Sequence, residues 1–453
     1  MLIAPSAPRF ATDGSGMEGE GLGSRPGDRP VERAGGPVVG AQDDIGVARL
    51  AFMVLAPFAA GYFMTYLFRS VNAVVQPDLV ADIGLTAAGL GLLTAAYFLG
   101  YGAWQVPLGV LLDRYGPRRV QAAQFVVAAV GAIVFAVGND QLTLTIARGL
   151  IGLGVAGGLM SSFKLVVMWV STARVPLANA CVMASGGLGA VAAAKPTDLL
   201  VGMIGWRWTF VVLAIATLVN AAVIYFVVPE KANRAPTSTW RAQVKGLGVI
   251  FGDRFFWRVA PFVGLSCGGY LAFQTLWAGP WVRDVLGYDR DGVADRLTLL
   301  AFAFVCGTLL GGVLADVARR RFGIGVLGVM NLLVTLYLLS HLALLFEPTR
   351  TSLVPWLLFG AFGQIAIMGY PAASERFGPE LAGRTNTALN LLTFLVAFAV
   401  QYAVGAALDL WPRNASGGYH PDGYFWALAV HLAVVVAAFA LYLRLGAARA
   451  RGS

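Results

Sequence analysis

The sequence predicts an all-α membrane protein of twelve transmembrane helices in two pseudo-symmetric six-helix bundles. Three observations carry this: apolar runs that continue all the way round a helix, their regular succession along the chain, and one motif that recurs in each half. Of 453 residues, 58% are hydrophobic and 13% charged, where soluble domains carry about 25% charged residues. A spanning helix needs about 20 predominantly apolar residues. Val120 to Val137, Trp208 to Val228 and Ile324 to Phe346 meet that need.

Taken in order, residues 1–47 are rich in Gly, Pro and charge, have no sustained apolar period, and read as a disordered cytoplasmic tail without the core of a cleavable signal peptide. Spans are expected near 49–75, 87–112, 120–137, 143–168, 177–202 and 208–228, so that 48–228 forms the first bundle. Residues 229–258, with Lys231, Arg234, Arg241, Lys245 and Arg254, read as a cytoplasmic linker. Six further spans, near 259–281, 297–317, 324–346, 352–372, 385–408 and 423–443, make the second bundle, 259–444, ahead of a short cytoplasmic tail over 445–453.

The formal charge of +9 is a matter of orientation rather than of nucleic-acid binding. If the first helix leaves the cytoplasm, the inward loops and C-terminal tail carry 18 Lys and Arg and the outward segments seven. The positive-inside rule then puts both termini in the cytoplasm, with the cell inner membrane as the expected location and a monomer as the expected state. Cys181, Cys267 and Cys306 all fall in apolar spans and read as packing residues, not a disulfide framework.

The halves echo each other. Gly109 to Arg119 reads GVLLDRYGPRR at the inner end of the second span, and Gly312 to Arg321 reads GVLADVARRR at the inner end of the eighth, with Asp113 and Asp316 203 residues apart. Internal duplication of this kind is how many secondary transporters build a midplane substrate site.

On these residues the chain resembles the major facilitator superfamily over 49–444, nearest to its organic-anion and phosphate-ester members. The carrying motif is Gly109-x-x-x-Asp113-Arg114-x-Gly116-x-Arg118-Arg119, with Arg148 to Ala156, RGLIGLGVA, resembling a second superfamily motif more loosely. The resemblance implies a twelve-helix fold working by alternating access, and a conformational latch of Gly109, Asp113, Arg114, Gly116, Arg118 and Asp316. That latch is expected to hold the halves together on the cytoplasmic side when the site opens outward. Asp113 would accept hydrogen bonds from the N-terminus of a facing helix, while the glycines permit close approach and a tight turn. Gly186 to Pro196, GGLGAVAAAKP, lacks the glycine–proline pair of many drug–proton antiporters, and the nitrate signatures are missing too. No phosphate loop, metal-binding helix pair or nucleophile elbow occurs, so neither an enzyme nor a cofactor or metal site is expected, and an ion gradient is left to drive transport.

Ionisable groups within spans mark candidate sites. Lys195 and Asp198, three apart, are expected to neutralise each other. That leaves Arg69, Arg148 and Lys164 uncompensated, which points to an anionic small-molecule substrate. Tyr62, Tyr66 and Arg69 recur at i, i+4 and i+7 and share a face of the first helix. The guanidinium could grip a carboxylate or phosphate bidentately, or could snorkel to the outer surface. The resemblance adds that organic-anion and phosphate-ester members tend to carry an arginine in a comparable part of helix one. Tyr270, Gln274 and Trp277 repeat the spacing in the seventh helix, and Gln364 and Asn390 are isolated amides that serve either packing or a cavity. Arg148 is expected to brace the bundle and Lys164 to snorkel inward. Asp198 stands as a possible ion-coupling site, for proton or sodium, while His341 and His431 read as packing residues. An exporter of amphiphilic compounds and a transporter-like sensor without net flux stay open as alternatives.

Overall fold

The computed structural model describes residues 50–171, 174–230, 239–346, 351–414 and 417–450, all within one compact unit. The tail expected over 1–47, and Lys231 and Arg234 of the linker, lie outside the described residues. The described residues are helical with no strand, and ten helices are long and apolar enough to cross a membrane. Two are bent at a glycine whose backbone takes positive φ. Ala87–Val137 turns at Gly116 (φ 76°) and Lys195–Val227 at Gly205 (φ 78°). A side chain disfavours that conformation, so glycine is what lets each turn be so short. With Val175–Ala192 completing the piece before Gly205, twelve spans result: 51–83, 87–115, 117–137, 141–169, 175–204 and 206–227, then 254–286, 290–322, 326–345, 353–377, 379–408 and 421–450.

Three boundaries differ from expectation. The first span runs on past 75 to Ile83 and stops where Gly84 takes φ 71°. The linker contains its own helix, Trp240–Gly252, capped by the Thr239 hydroxyl on the Ala242 N–H. Its Leu247 and Ile250 pack with Phe256, Ala373, Ala388 and Leu389, which ties the linker to the second half. The last helix continues to Ala450, beyond the expected start of a tail at 445.

The first, fourth, seventh and tenth spans are each interrupted near their middles. The breaks fall at Val71, at Ala156–Gly157, at a π-turn over Phe273–Trp277, and at a 3-10 turn over Ile365–Met368. These are equivalent spans of the two halves, and irregular backbone at such depth is tolerated where it lines a protein-enclosed space.

The halves meet along two seams, the second span on the eleventh and the fifth on the eighth. Small residues let the first seam close: a Cβ on Gly91 would lie 2.8 Å from the Gln401 carbonyl oxygen. Calling outer the end assigned to the cell exterior, that end is cross-linked by charge. Arg290 bridges Asp78 (3.2 Å) and Asp198 (2.7 Å), and Lys195 reaches Asp291 (2.8 Å). The Asp409 carboxylate accepts hydrogen bonds from the Ala87 and Ala88 N–H groups (3.0 and 2.7 Å), so the eleventh span caps the second. The outer end is shut.

Candidate substrate site

Arg69 falls close to the middle of residues 51–83, two residues before the break at Val71, and is 5% exposed. This excludes the expected alternative of an arginine snorkelling to the outer surface. Its guanidinium carbon lies 4.4 Å from the Tyr66 ring centroid, 5.2 Å from Tyr101 of the second span and 5.5 Å from Phe394 of the eleventh. Two of these rings belong to the first half and one to the second, so the cation sits on the seam. Tyr66 also stacks on Phe304 of the eighth span at 6.0 Å, and Tyr62 meets Tyr66 edge-on at 5.2 Å. The shared face of Tyr62, Tyr66 and Arg69 is present as expected. No ion pair to Arg69 is seen among the described residues, and its Nε has no hydrogen-bond partner.

Arg148 lies behind it. Its side chain is fully buried, Nη1 donates to the Phe68 carbonyl (3.0 Å), and the guanidinium stands 5.2 Å from the Tyr97 centroid. It fastens the fourth span to the first beside the break, the bracing expected of it. Its Nε and Nη2 are unpartnered.

Other expectations change. Lys164 is not an uncompensated cation: Nζ pairs with Asp113 at 2.7 Å and donates to the Leu112 carbonyl at 2.8 Å. Lys195 and Asp198 do not neutralise each other. The fifth span breaks at Ala193–Ala194, so Lys195 opens a new helical segment and turns to Asp291 and Asp295, while Asp198 meets Arg290. Asp198 therefore belongs to the outer cross-link rather than to a coupling site in the interior.

In the seventh span the π-turn disperses the expected face of Tyr270, Gln274 and Trp277. The Tyr270 hydroxyl donates to Gly360 (3.2 Å) within the second half, and Trp277 Nε1 donates to Gln401 (3.1 Å). Gln274 reaches the interface beside a small cavity lined by Ser70, Ala73, Ala190 and Leu297, and the Trp277 ring approaches Gly91 of the first half. Asn390 Oδ1 accepts from the Tyr370 hydroxyl at 2.9 Å, a bond between the tenth and eleventh spans. The Gln364 side chain lies at the 3-10 turn with Nε2 unpartnered.

The latch residues make several bonds within their own halves. Besides Asp113 with Lys164, Arg118 Nε and Nη2 donate to the Tyr225 carbonyl (2.8 and 2.5 Å), Arg118 Nη1 lies 3.5 Å from Glu230, and Arg119 is 2.6 Å from Glu230. Arg114 lies over Tyr115 at 5.3 Å, and Gly109 lies in the last turns of the second span. Asp316 pairs with Arg319 and Arg320 one turn away. Asp113 thus has the Lys164 ammonium of the fourth span among its partners. Gly116 supplies the expected tight turn.

Sequence reasoning did not find Tyr101, Phe304 and Phe394. They lie on three other helices, and only folding brings them to Arg69. Their aromatic character was visible, but nothing in their spacing relates them to the first span.

The Major Facilitator Superfamily model matches residues 58–401. The chain belongs to the Major Facilitator Superfamily. As a superfamily member it is a multi-pass membrane transporter and not an enzyme. It is similar to a protein of Cupriavidus necator described as "Probable sulfoacetate transporter SauU", 25% identical over 286 residues, 60% of this chain and 66% of that one. It is also similar to a "Quinolone resistance transporter" of Acinetobacter baumannii, 21% identical over 194 residues, 42% of this chain and 45% of the other. The chain thus spans just under two thirds of the first relative and under half of the second. Among solved structures, a bacterial homologue of the human lysosomal transporter Spinster, inward-facing and unoccupied, aligns with a TM-score of 0.67 at 17% identity, covering 88% of this facilitator and 97% of that chain. That likeness concerns the fold alone.

Proposed function

We propose that this facilitator is a secondary transporter of a small organic anion, gripped by Arg69 on the seam between halves and driven by a proton or sodium gradient. The carrying observation is a buried guanidinium with aromatic neighbours and no carboxylate partner among the described residues. Cation–π contacts contribute about 0.5–2 kcal/mol each, whereas burying an ion without a counter-ion costs at least several kcal/mol. A bound anion would offset the difference. The relative named for sulfoacetate, a compound with two acidic groups, supports the same sign of substrate. The expected setting is the cell inner membrane, with a monomer and both termini in the cytoplasm.

The test is uptake of labelled sulfoacetate and tartrate into proteoliposomes, comparing wild type with Arg69→Ala and Arg69→Lys. A hydrogen bond to a charged group is worth about 1.5–3 kcal/mol, so Arg69→Ala should lower anion affinity by roughly 10- to 100-fold. Arg69→Lys should recover part of that loss. An Ala variant as active as wild type sinks the grip.

A second reading, export of amphiphilic compounds, draws on the aromatic lining of Tyr62, Tyr66, Tyr101, Phe304 and Phe394 and on the quinolone-resistance relative. It predicts that Tyr101→Ala and Phe394→Ala reduce export of a lipophilic dye while Arg69→Ala does not.

A further inference from the structure

We propose that His341 and His431 form a site for a single proton inside the second half, and that this site couples anion movement to a proton gradient. The coupling part rests on the gradient-driven reading above, whereas proton binding stands by itself.

The ninth and twelfth spans bring the two imidazoles to 5.5 Å between ring centroids, tilted by 31°. His341 is 2% exposed and neither ring nitrogen has a partner among the described residues. His431 Nε2 lies 3.2 Å from the Leu265 carbonyl of the seventh span. The rings share a cavity walled by Phe273, Trp277, Phe359, Val404 and Leu428, with space for about one water molecule. Gly269 is part of the design, because a Cβ there would overlap the His431 ring. A side chain that only fills space needs no nitrogens, and a buried polar group left unbonded is costly. Here both nitrogens of His341 are unbonded among the described residues, and its ring lines the cavity with the second imidazole 5.5 Å away.

The groups around the pair suit one proton. The titratable side chains facing it are Tyr337 of the ninth span, whose hydroxyl is unpartnered, and behind that ring Tyr270 and Cys267 of the seventh. The tenth, eleventh and twelfth spans present Phe359, Val400, Val404 and Leu428. No Asp, Glu, Lys or Arg lines the cavity. A proton held here would be bonded by the Leu265 carbonyl on one side and shared across the cavity with the second ring or a water. A second proton would put two like charges about one ring apart, so the pair titrates as a unit. Imidazole nitrogens also discriminate the ion, since sodium, like other hard cations, seeks oxygen ligands.

Elsewhere in the described spans the carboxylates lie towards the ends, as with Asp113 against Lys164 and Asp198 against Arg290. The histidines are the groups in the span interiors whose ordinary titration falls near neutral pH. A path from proton to seam also exists. Phe273 and Trp277 of the cavity wall open and close the same π-turn that holds Gln274 at the interface, and Trp277 touches Gly91 of the first half. A change in size or charge at the histidines is thus felt one residue from the contact between halves.

The chain holds only three histidines, His341, His420 and His431, so nitrogen NMR of protein labelled at histidine resolves the site without any substrate. Titrated from about pH 5 to about pH 8, wild type should show His341 and His431 moving together through one shared protonation. His341→Gln should shift the midpoint of His431, and His431→Gln that of His341, while His420 is unchanged. Two rings that stay neutral across the range, or that titrate independently, overturn the proton site. In proteoliposomes, His341→Gln should keep sulfoacetate exchange at equal pH and lose accumulation driven by a pH gradient. Accumulation that survives in both variants overturns the coupling. Failure of the anion reading looks different: wild type itself exchanges no sulfoacetate, and the titration still decides the site.

Discussion

At the scale of single residues, the decisive quantity is whether a buried charge has a partner. Four interior or near-interior cations were visible as such, and two of them, Lys164 and Lys195, turn out to be paired with carboxylates. Arg148 spends one N–H on the Phe68 carbonyl and packs on Tyr97. Arg148→Met keeps most of the stem and loses that bond. It should lower stability by about 0.5–3 kcal/mol, read as a lower melting temperature, with little change in anion affinity. Arg69→Ala should do the opposite, weakening affinity more than stability. The face shared by Tyr62, Tyr66 and Arg69 was legible because helical periodicity within one segment decides it. Tyr101, Phe304 and Phe394 were not, because they reach the guanidinium from other helices. The pairing expected of Lys195 with Asp198 failed for a local reason, a helix break at Ala193–Ala194 that Pro196, in the first turn of the new segment, advertises.

At the scale of elements, the spans divide into those that run unbroken and those that are interrupted. Glycines at sharp turns were readable from the motif itself, and Gly116 is bent as expected with φ 76° and open space around it. Gly116→Ala therefore meets no clash and pays only for a backbone conformation (φ 76°, ψ 163°) that is nearly confined to glycine, about 1–3 kcal/mol, which a thermal melt of the purified protein would register. Nothing at all changing on that substitution would mean that the turn is relaxed in solution. The π-turn at Phe273–Trp277 had no visible signal, since it consists of one extra residue per turn in an ordinary apolar run. It is why Tyr270, Gln274 and Trp277 point three ways. Outside the membrane, the start of the fourth span rests on Asp140, whose carboxyl the Thr143 hydroxyl and N–H hold below its usual range. A carboxyl depressed in this way contributes its cap above the unfolded value and loses it only as pH falls through the lower folded one. Thermal stability lent by this cap should thus be unchanged in mildly acidic buffer, and Asp140→Ala should remove it at neutral pH.

At the scale of the whole molecule, twelve spans in two related halves were legible because a bilayer imposes length and apolarity on every crossing segment. Which end is closed was not, because both sets of end charges are present in the sequence and only their pairing differs between states. In this structure Arg290, Asp78, Asp198, Lys195 and Asp291 join the halves at the outer end, while the loop motif makes several bonds within its own half. Arg290 is 45% exposed, so its pairs are worth about 1 kcal/mol or less together. Arg290→Ala should raise the share of outward-open molecules by up to roughly fivefold, measurable as faster labelling of a cysteine placed at Ala73. Restoring closure with the double swap Asp198→Arg, Arg290→Asp would tie the effect to this pair rather than to lost packing.

That outer cross-link is partly exposed to solvent, and the seam around Arg69 is buried. Groups such as the Asp409 carboxylate and the Ala87 and Ala88 amides can exchange one another for water as they part, whereas the rings against Arg69 can only be parted by something that replaces them. Counter-ions reach the rim and are kept out of the seam. Ionic strength on the exterior should therefore act as a throttle on how often the protein opens to that side, since surface pairs are screened over a Debye length of about 8 Å at physiological salt, and leave the grip on the cargo largely untouched.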